Sequence, residues 1–301
     1  MAIFTVRRSA AAIFATGVVL AAGASAMPPF GSWSVPANLA SVPGSGSGIS
    51  TPAVDGCASQ SPDGLSIAFT SNRTGNFDVY VASRASKTDA FGSPVRLPAP
   101  INSPATNDSC PTLVHGNRLF FSSDRDDAAY DLYEARRVAG AWSVTRLGPN
   151  INRPGWLDES AAVYEADGHE VMIFSSRRPD GSDGKIYQSV DGGPATLVAG
   201  GPHSSASDNR PSITHDGKTI FFDSDRYGTL GGPDLYYATR SSPDEAFGPA
   251  IHLESLSSDG FDARPFISWD GTMLTFSSAR AGNPSPAPDI WFAMRAKTTG
   301  N

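Results

Sequence analysis

Ser61–Arg73 reads SPDGLSIAFTSNR, and a few residues later Asp78 opens DVYVASR. The Pro-Asp-Gly step is a tight turn in which Gly64 supplies the positive φ that a short hairpin needs. The run behind it, IAFTS, is β-branched and aromatic, as suits a buried strand. The same construction returns four times, as LVHGNRLFFSSDR ending at Arg125, EADGHEVMIFSSRR at Arg178, ITHDGKTIFFDSDR at Arg226 and ISWDGTMLTFSSAR at Arg280. Each copy is followed by a short aromatic strand: DLYEARR from Asp131, KIYQSV from Lys185, DLYYATR from Asp234 and DIWFAMR from Asp289. The turn glycines fall at 64, 116, 168, 217 and 271, spaced by 49 to 54 residues. A period of that size with several short strands per unit predicts propeller blades.

A fourth, outer strand closes the first four units: FGSPVRL to Leu97, AWSVTRL to Leu147, ATLV to Val198 and FGPAIHL to Leu253. The fifth unit ends at Arg295 without one, whereas FGSWSVPANL, Phe30 to Leu39, carries that pattern ahead of the first unit. The expectation is therefore an all-β, five-bladed β-propeller with four antiparallel strands per blade, its last blade closed by the N-terminal strand. Such closure removes free sheet edges. The blades run over about 55–97, 107–147, 156–198, 207–253 and 261–295.

Arg7 and Arg8, the uncharged stretch Ala10–Gly23 and Ala24-Ser25-Ala26 read as a secretory signal peptide over 1–26, cut after about Ala26. Residues 27–301 then form one propeller domain in a periplasmic or secreted protein. No stretch is long and apolar enough for a membrane span of about 20 residues, so no membrane insertion is expected. Without Arg7 and Arg8, 21 basic face 30 acidic side chains, a net charge of −9. That sign disfavours nucleic acid, whose phosphates call for a Lys and Arg surplus. The 30 Gly and 24 Pro fit a chain of tight turns, and the 40% hydrophobic residues in alternating runs set it apart from a disordered one.

SPDGLSIAFTSNR followed by DVYVASR resembles the WD40-like Pro-Asp repeat propellers of the TolB type, and the likeness extends over residues 55 to 295. It implies the propeller fold. Function has to be argued from the site, because this architecture hosts unrelated activities.

Chemistry is expected on the face where each blade's first strand begins, around the mouth of the central channel. The leading residues there are Asp55-x-Cys57, Asp108-x-Cys110, Asp158-Glu159-Ser160, Asp208-x-Arg210 and Asp262-x-Arg264. The recurring Asp reads as a cap for the strand start or as a ring of binding carboxylates. The position two residues later differs between blades, which is the stronger functional hint. Arg210 and Arg264 fit a clamp on a carboxylate, sulfate or phosphate, or pairs with neighbouring acids. Trp156, in NRPGWLDE, suits sugar stacking or filling of the gap between blades two and three. Asp158 and Glu159 are candidate acid/base carboxylates and His203 a candidate base, each with a merely solvated or structural alternative. Cys57 and Cys110 hold equivalent positions in adjacent blades and suit a disulfide in an exported protein, two buried thiols, or a reactive pair lining the mouth. The Arg ending each second strand (73, 125, 178, 226, 280) is expected to pair with the Asp that opens the third strand (78, 131, 234, 289), with Lys185 making blade three different.

No metal-ligand cluster, nucleophile elbow or phosphate loop is present in the sequence, so neither metal nor cofactor is expected. The partners expected are a small polar or glycan ligand, or an envelope protein. Two functions follow: a binding propeller using its mouth face, or a glycoside hydrolase or lyase using Asp158 and Glu159 on an acidic sugar.

Overall fold

The computed structural model describes residues 30–298 apart from 116, 127–128 and 178–182; the segment 1–26 read as a signal peptide, the turn glycine Gly116 and Arg178 lie outside the described residues. Strand β1 (Ala37–Asn38) precedes the first blade, formed by β2 (Asp55–Gln60), β3 (Ser66–Ser71), β4 (Asp78–Ser83) and β5 (Val95–Arg96). Blade two contains β6 (Asp108–Val114), β7 (Arg118–Ser123), β8 (Asp131–Val138) and β9 (Ala141–Arg146). Blade three contains β10 (Leu157–Ala166), β11 (His169–Arg177), β12 (Lys185–Val190) and β13 (Thr196–Leu197). Blade four follows with β14 (Asp208–Ile213), β15 (Thr219–Ser224), β16 (Asp234–Thr239) and β17 (Ile251–His252). The last, β18 (Asp262–Ile267), β19 (Met273–Ser278) and β20 (Asp289–Met294), takes β1 as its outer strand.

All five sheets are four-stranded and antiparallel, so the chain is a five-bladed β-propeller. Closure pairs Ala37 with Phe292 and Asn38 with Trp291. The Asn38 amide also donates to the buried carboxylate of Asp289 at 2.9 Å, pinning a two-residue strand that its own ladder would hold weakly. The described turn glycines 64, 168, 217 and 271 have φ of 67° to 81°, the left-handed conformation predicted for the hairpins.

One apolar cluster fills each junction between blades. Phe69 with Tyr80, Phe121 with Tyr133 and Phe174 with Tyr187 stack within their sheets and face neighbouring blades. Period-two alternation does the work here: one set of strand residues faces the preceding blade and the next set faces the following one. Among the described residues no helix is long and apolar enough to cross a membrane.

Candidate functional site at the channel mouth

Every first strand carries a β-bulge just after its leading Asp. The register breaks between Gly56 and Ser59, Ser109 and Thr112, Glu159 and Ala162, Asn209 and Ser212, and Ala263 and Phe266. The bulged residues are Cys57, Cys110, Ser160, Arg210 and Arg264, all with φ between 48° and 58°. Non-glycine residues adopt this conformation only when their surroundings demand it. The demand is visible: each bulge N–H donates to a side chain on the second strand of the preceding blade. Cys57 reaches Ser277, Cys110 reaches Thr70, Ser160 reaches Ser122, Arg210 reaches Ser175 and Arg264 reaches Asp223. The bulge turns its five side chains toward one passage, where they converge with Pro111, Pro211 and Pro265 around a space of only about 20 Å³.

The positions at which the repeats differ are thus brought together, and they engage each other. Cys57 and Cys110 form a disulfide with Cα atoms 4.9 Å apart, tying blade one to blade two. On the other side, Arg210 bonds Asp223 at 2.8 Å and lies 3.5 Å from Glu159, linking blades three and four. Asp223 also accepts the Arg264 N–H of blade five at 2.9 Å. The Arg264 side chain shares a small cavity of about 50 Å³ at the mouth with Glu159, Tyr130, Ser109 and Thr70. Its buried Nε has no hydrogen-bond partner among the described residues. Burial and the neighbouring Arg210 lower its pKa to about 10, against the pull of Glu159 and Asp223. Burial raises the Tyr130 hydroxyl to about 12.

Asp223 is the member of this cluster that the repeat comparison passed over. Its signal was in the sequence, as the D of IFFDS where the other copies have Thr70, Ser122, Ser175 and Ser277.

The leading Asp residues are all fully buried. Asp55 accepts the Thr51 amide, Asp108 that of Ser103, Asp158 that of Arg153, Asp208 that of Ser204 and Asp262 that of Ser258, at 2.6 to 2.9 Å. Among the described residues, four of them bind the Arg that ends the second strand: Arg73–Asp55, Arg125–Asp108, Arg226–Asp208 and Arg280–Asp262, at 2.5 to 2.6 Å. This corrects the expected pairing with the third-strand Asp. The pairing of Asp55 with Ser71 and of Ser71 with Asp78 makes both acids accessible to Arg73. The inner one wins because the guanidinium there also donates to the carbonyl of Gly48 and to Ser71, and packs over Tyr80. Asp78 and Asp131 instead take Arg96 and Arg146 from the outer strands, and Asp234 takes His252.

Blade three is different, as Lys185 suggested. Lys185 donates to the carbonyls of Ser204 and Ala206. Burial pushes Asp158 up to about 6, against the Ser176 hydroxyl and the Arg153 amide, which hold it down. Asp158 and Glu159 are consecutive strand residues and point to opposite faces: Asp158 toward the preceding connection, Glu159 toward the channel. Trp156 is half-buried in the gap between blades two and three, edge-on to Tyr187 at 6.4 Å and capped by Arg153 at 4.7 Å. His203 is half-buried in the connection before blade four, near Asp208, Lys185 and Arg226, and burial lowers its pKa. At the hairpin end the channel is covered by Trp269, stacked on His215 at 3.9 Å and met edge-on by His115 at 4.7 Å.

No protein-family profile and no curated protein matches the sequence. Solved structures do match in fold. TolB from Acinetobacter baumannii is similar at 21% identity over 64% of this chain, TM-score 0.42, and the chain spans 42% of its length. The native arabinanase of Bacillus subtilis gives 11% identity over 79% of this chain and 93% of its own, TM-score 0.53. An alpha-L-arabinofuranosidase from Podospora anserina, solved with cellotriose, gives 12% over 89% and 98%, TM-score 0.52. At these identities the likeness to the arabinanase and the arabinofuranosidase is one of fold.

Proposed function

We propose that the chain is an exported, non-catalytic binding propeller of the WD40-like Pro-Asp repeat type. Its mouth takes the polar tip of a glycan or of an envelope partner. The leader-like N-terminus and the interblade disulfide support export. The observation that carries binding over catalysis is the state of the mouth. Its leading carboxylates are bound to backbone amides and, in four blades, to arginines, while Arg264 keeps a buried Nε–H without an acceptor among the described residues. A buried donor of that kind calls for an oxygen from water or ligand. The 50 Å³ cavity beside it admits a hydroxyl or carboxylate, whereas sites that engulf an organic ligand measure about 300–1,000 Å³.

A second reading, glycoside hydrolase or lyase, is favoured by one feature: a carboxyl with a pKa near 6, Asp158, is tuned as a general acid would be. Against it, Asp158 and Glu159 do not converge on one space. Titration of acidic and neutral oligosaccharides into the wild type and Arg264→Gln, with product analysis, separates the two. Binding without turnover, weakened about tenfold by the substitution, is expected. Turnover that disappears in Glu159→Gln would establish the enzyme instead, and unchanged binding in Arg264→Gln would remove the mouth from the account.

A further inference from the structure

A second concavity lies on the hairpin side, away from the mouth. A cleft of about 640 Å³ opens between blades one and two. Its origin is a side chain that one blade has and another lacks. Six residues after the leading Asp, blade three carries Tyr164, whose ring plugs the junction with blade four so tightly that a Cβ on Gly217 would meet it at 2.4 Å. The Tyr164 hydroxyl accepts from Arg240 at 2.7 Å. Blade one has Ser61 at this position, and its junction with blade two stays open.

The outer strand shows the same gap from the other side. Phe91 and Phe247 begin their outer segments and are 3% and 4% exposed. Blade two has Ala141 at that register position, and the aromatic one residue later, Trp142, is only half-buried and forms part of the cleft wall.

The charges of the cleft are unequally committed. Arg118 is held by Glu134 at 2.6 Å and by both oxygens of Glu170 at 2.6 and 3.0 Å. Asp63 is occupied by the Ser61 hydroxyl and the Leu65 amide. Arg137 has its guanidinium carbon 5.7 Å from the Trp142 ring centre, with Nε donating to the Gly140 carbonyl. An exposed cation beside a half-exposed indole, against apolar walls that include Leu97, Pro98 and Leu113, is a polar anchor next to a flat apolar surface. Its volume falls within the range of small-molecule sites.

We propose that this cleft binds a flat organic anion, an aromatic or heterocyclic carboxylate or sulfonate, with its ring system against Trp142 and its acidic group on Arg137. The site is separate from the mouth and does not depend on the reading given there.

Anilinonaphthalene sulfonate has this chemistry and reports its own binding by fluorescence. Titrations would compare the wild type with Arg137→Gln, Trp142→Ala and Ser61→Tyr, the last restoring the plug that blade three has. Arg137 is exposed, so Arg137→Gln should keep its melting temperature and bind the dye about tenfold more weakly. Ser61→Tyr and Trp142→Ala should lose the site, with circular dichroism to confirm their fold. Affinity within about twofold of wild type in Arg137→Gln overturns the anion assignment, whatever the other variants do. Unchanged affinity in Ser61→Tyr puts the dye elsewhere and overturns the site.

Discussion

Reduction of the Cys57–Cys110 bridge should lower stability by an amount set by the loop it closes. The cysteines are separated by 53 positions. In the chain-entropy description a loop of that size constrains the unfolded chain by about 4 kcal/mol. Unfolding entropies of roughly 2 cal/mol/K per residue give a domain of this length about 0.6 kcal/mol/K, so 4 kcal/mol corresponds to about 7 °C. The folded state should change little. The two bulges stay pinned without the bridge, because their amides donate to Ser277 and Thr70 of the preceding blades. Serine itself is tolerated at this conformation, as Ser160 with φ 58° demonstrates, so Cys57→Ser with Cys110→Ser removes the cross-link without adding a backbone penalty. Calorimetry of oxidised wild type, reduced wild type and the double variant should show the last two melting together, about 7 °C below the first. Equal melting temperatures for all three would refute the reasoning. A loss two or three times larger would also refute it, since the bridge would then be holding the native ring together.

Two further outcomes follow from the geometry. Asp158 has a folded pKa of about 6 against an ordinary 3.8, so the folded state holds its proton more tightly and this residue costs stability as pH rises from about 4 to about 6. The difference amounts to about 3 kcal/mol. Asp158→Asn should therefore gain on the wild type by that amount between pH 4 and 7 in urea titrations, and a pH-independent difference would sink the assignment. Gly217→Ala meets both a φ of 67° and the Tyr164 ring, and should destabilise by about 1–3 kcal/mol. Gly168→Ala, with nothing near its Cβ, should bear only the conformational part. Similar losses for the two would remove the steric role of Tyr164.

Much of this architecture was legible because propeller blades repeat their instructions. Five turns, five buried second strands and one displaced outer strand specify blade number and closure without reference to distant contacts, and β1 pairs with β20 as FGSWSVPANL predicted. The leading Asp residues were visible for the same reason, as was the clustering of the positions that differ. The ion-pair partner of the four described arginines, Arg73, Arg125, Arg226 and Arg280, differs from the expected one because two acids flank the same serine in the sheet. The choice between them rests on a carbonyl that accepts from the guanidinium, that of Gly48 or its counterparts Ile101, Pro202 and Leu256, in a connection that the repeat pattern does not describe. Asp223 was overlooked because its importance depends on Arg264 of the next blade, 41 positions away.

Sequence alone determined the all-β class, the number of blades and the way the ring is closed, since these depend on turn chemistry and period-two alternation, which are local. Tertiary structure decided what the unlike residues do. Only the radial packing of blades shows that Arg210 is matched by Asp223 and Glu159, that Asp158 and Glu159 face apart, and that Ser61 leaves a cleft where Tyr164 fills one. Those outcomes are set by distances between neighbouring sheets, and no pattern within a single repeat encodes them.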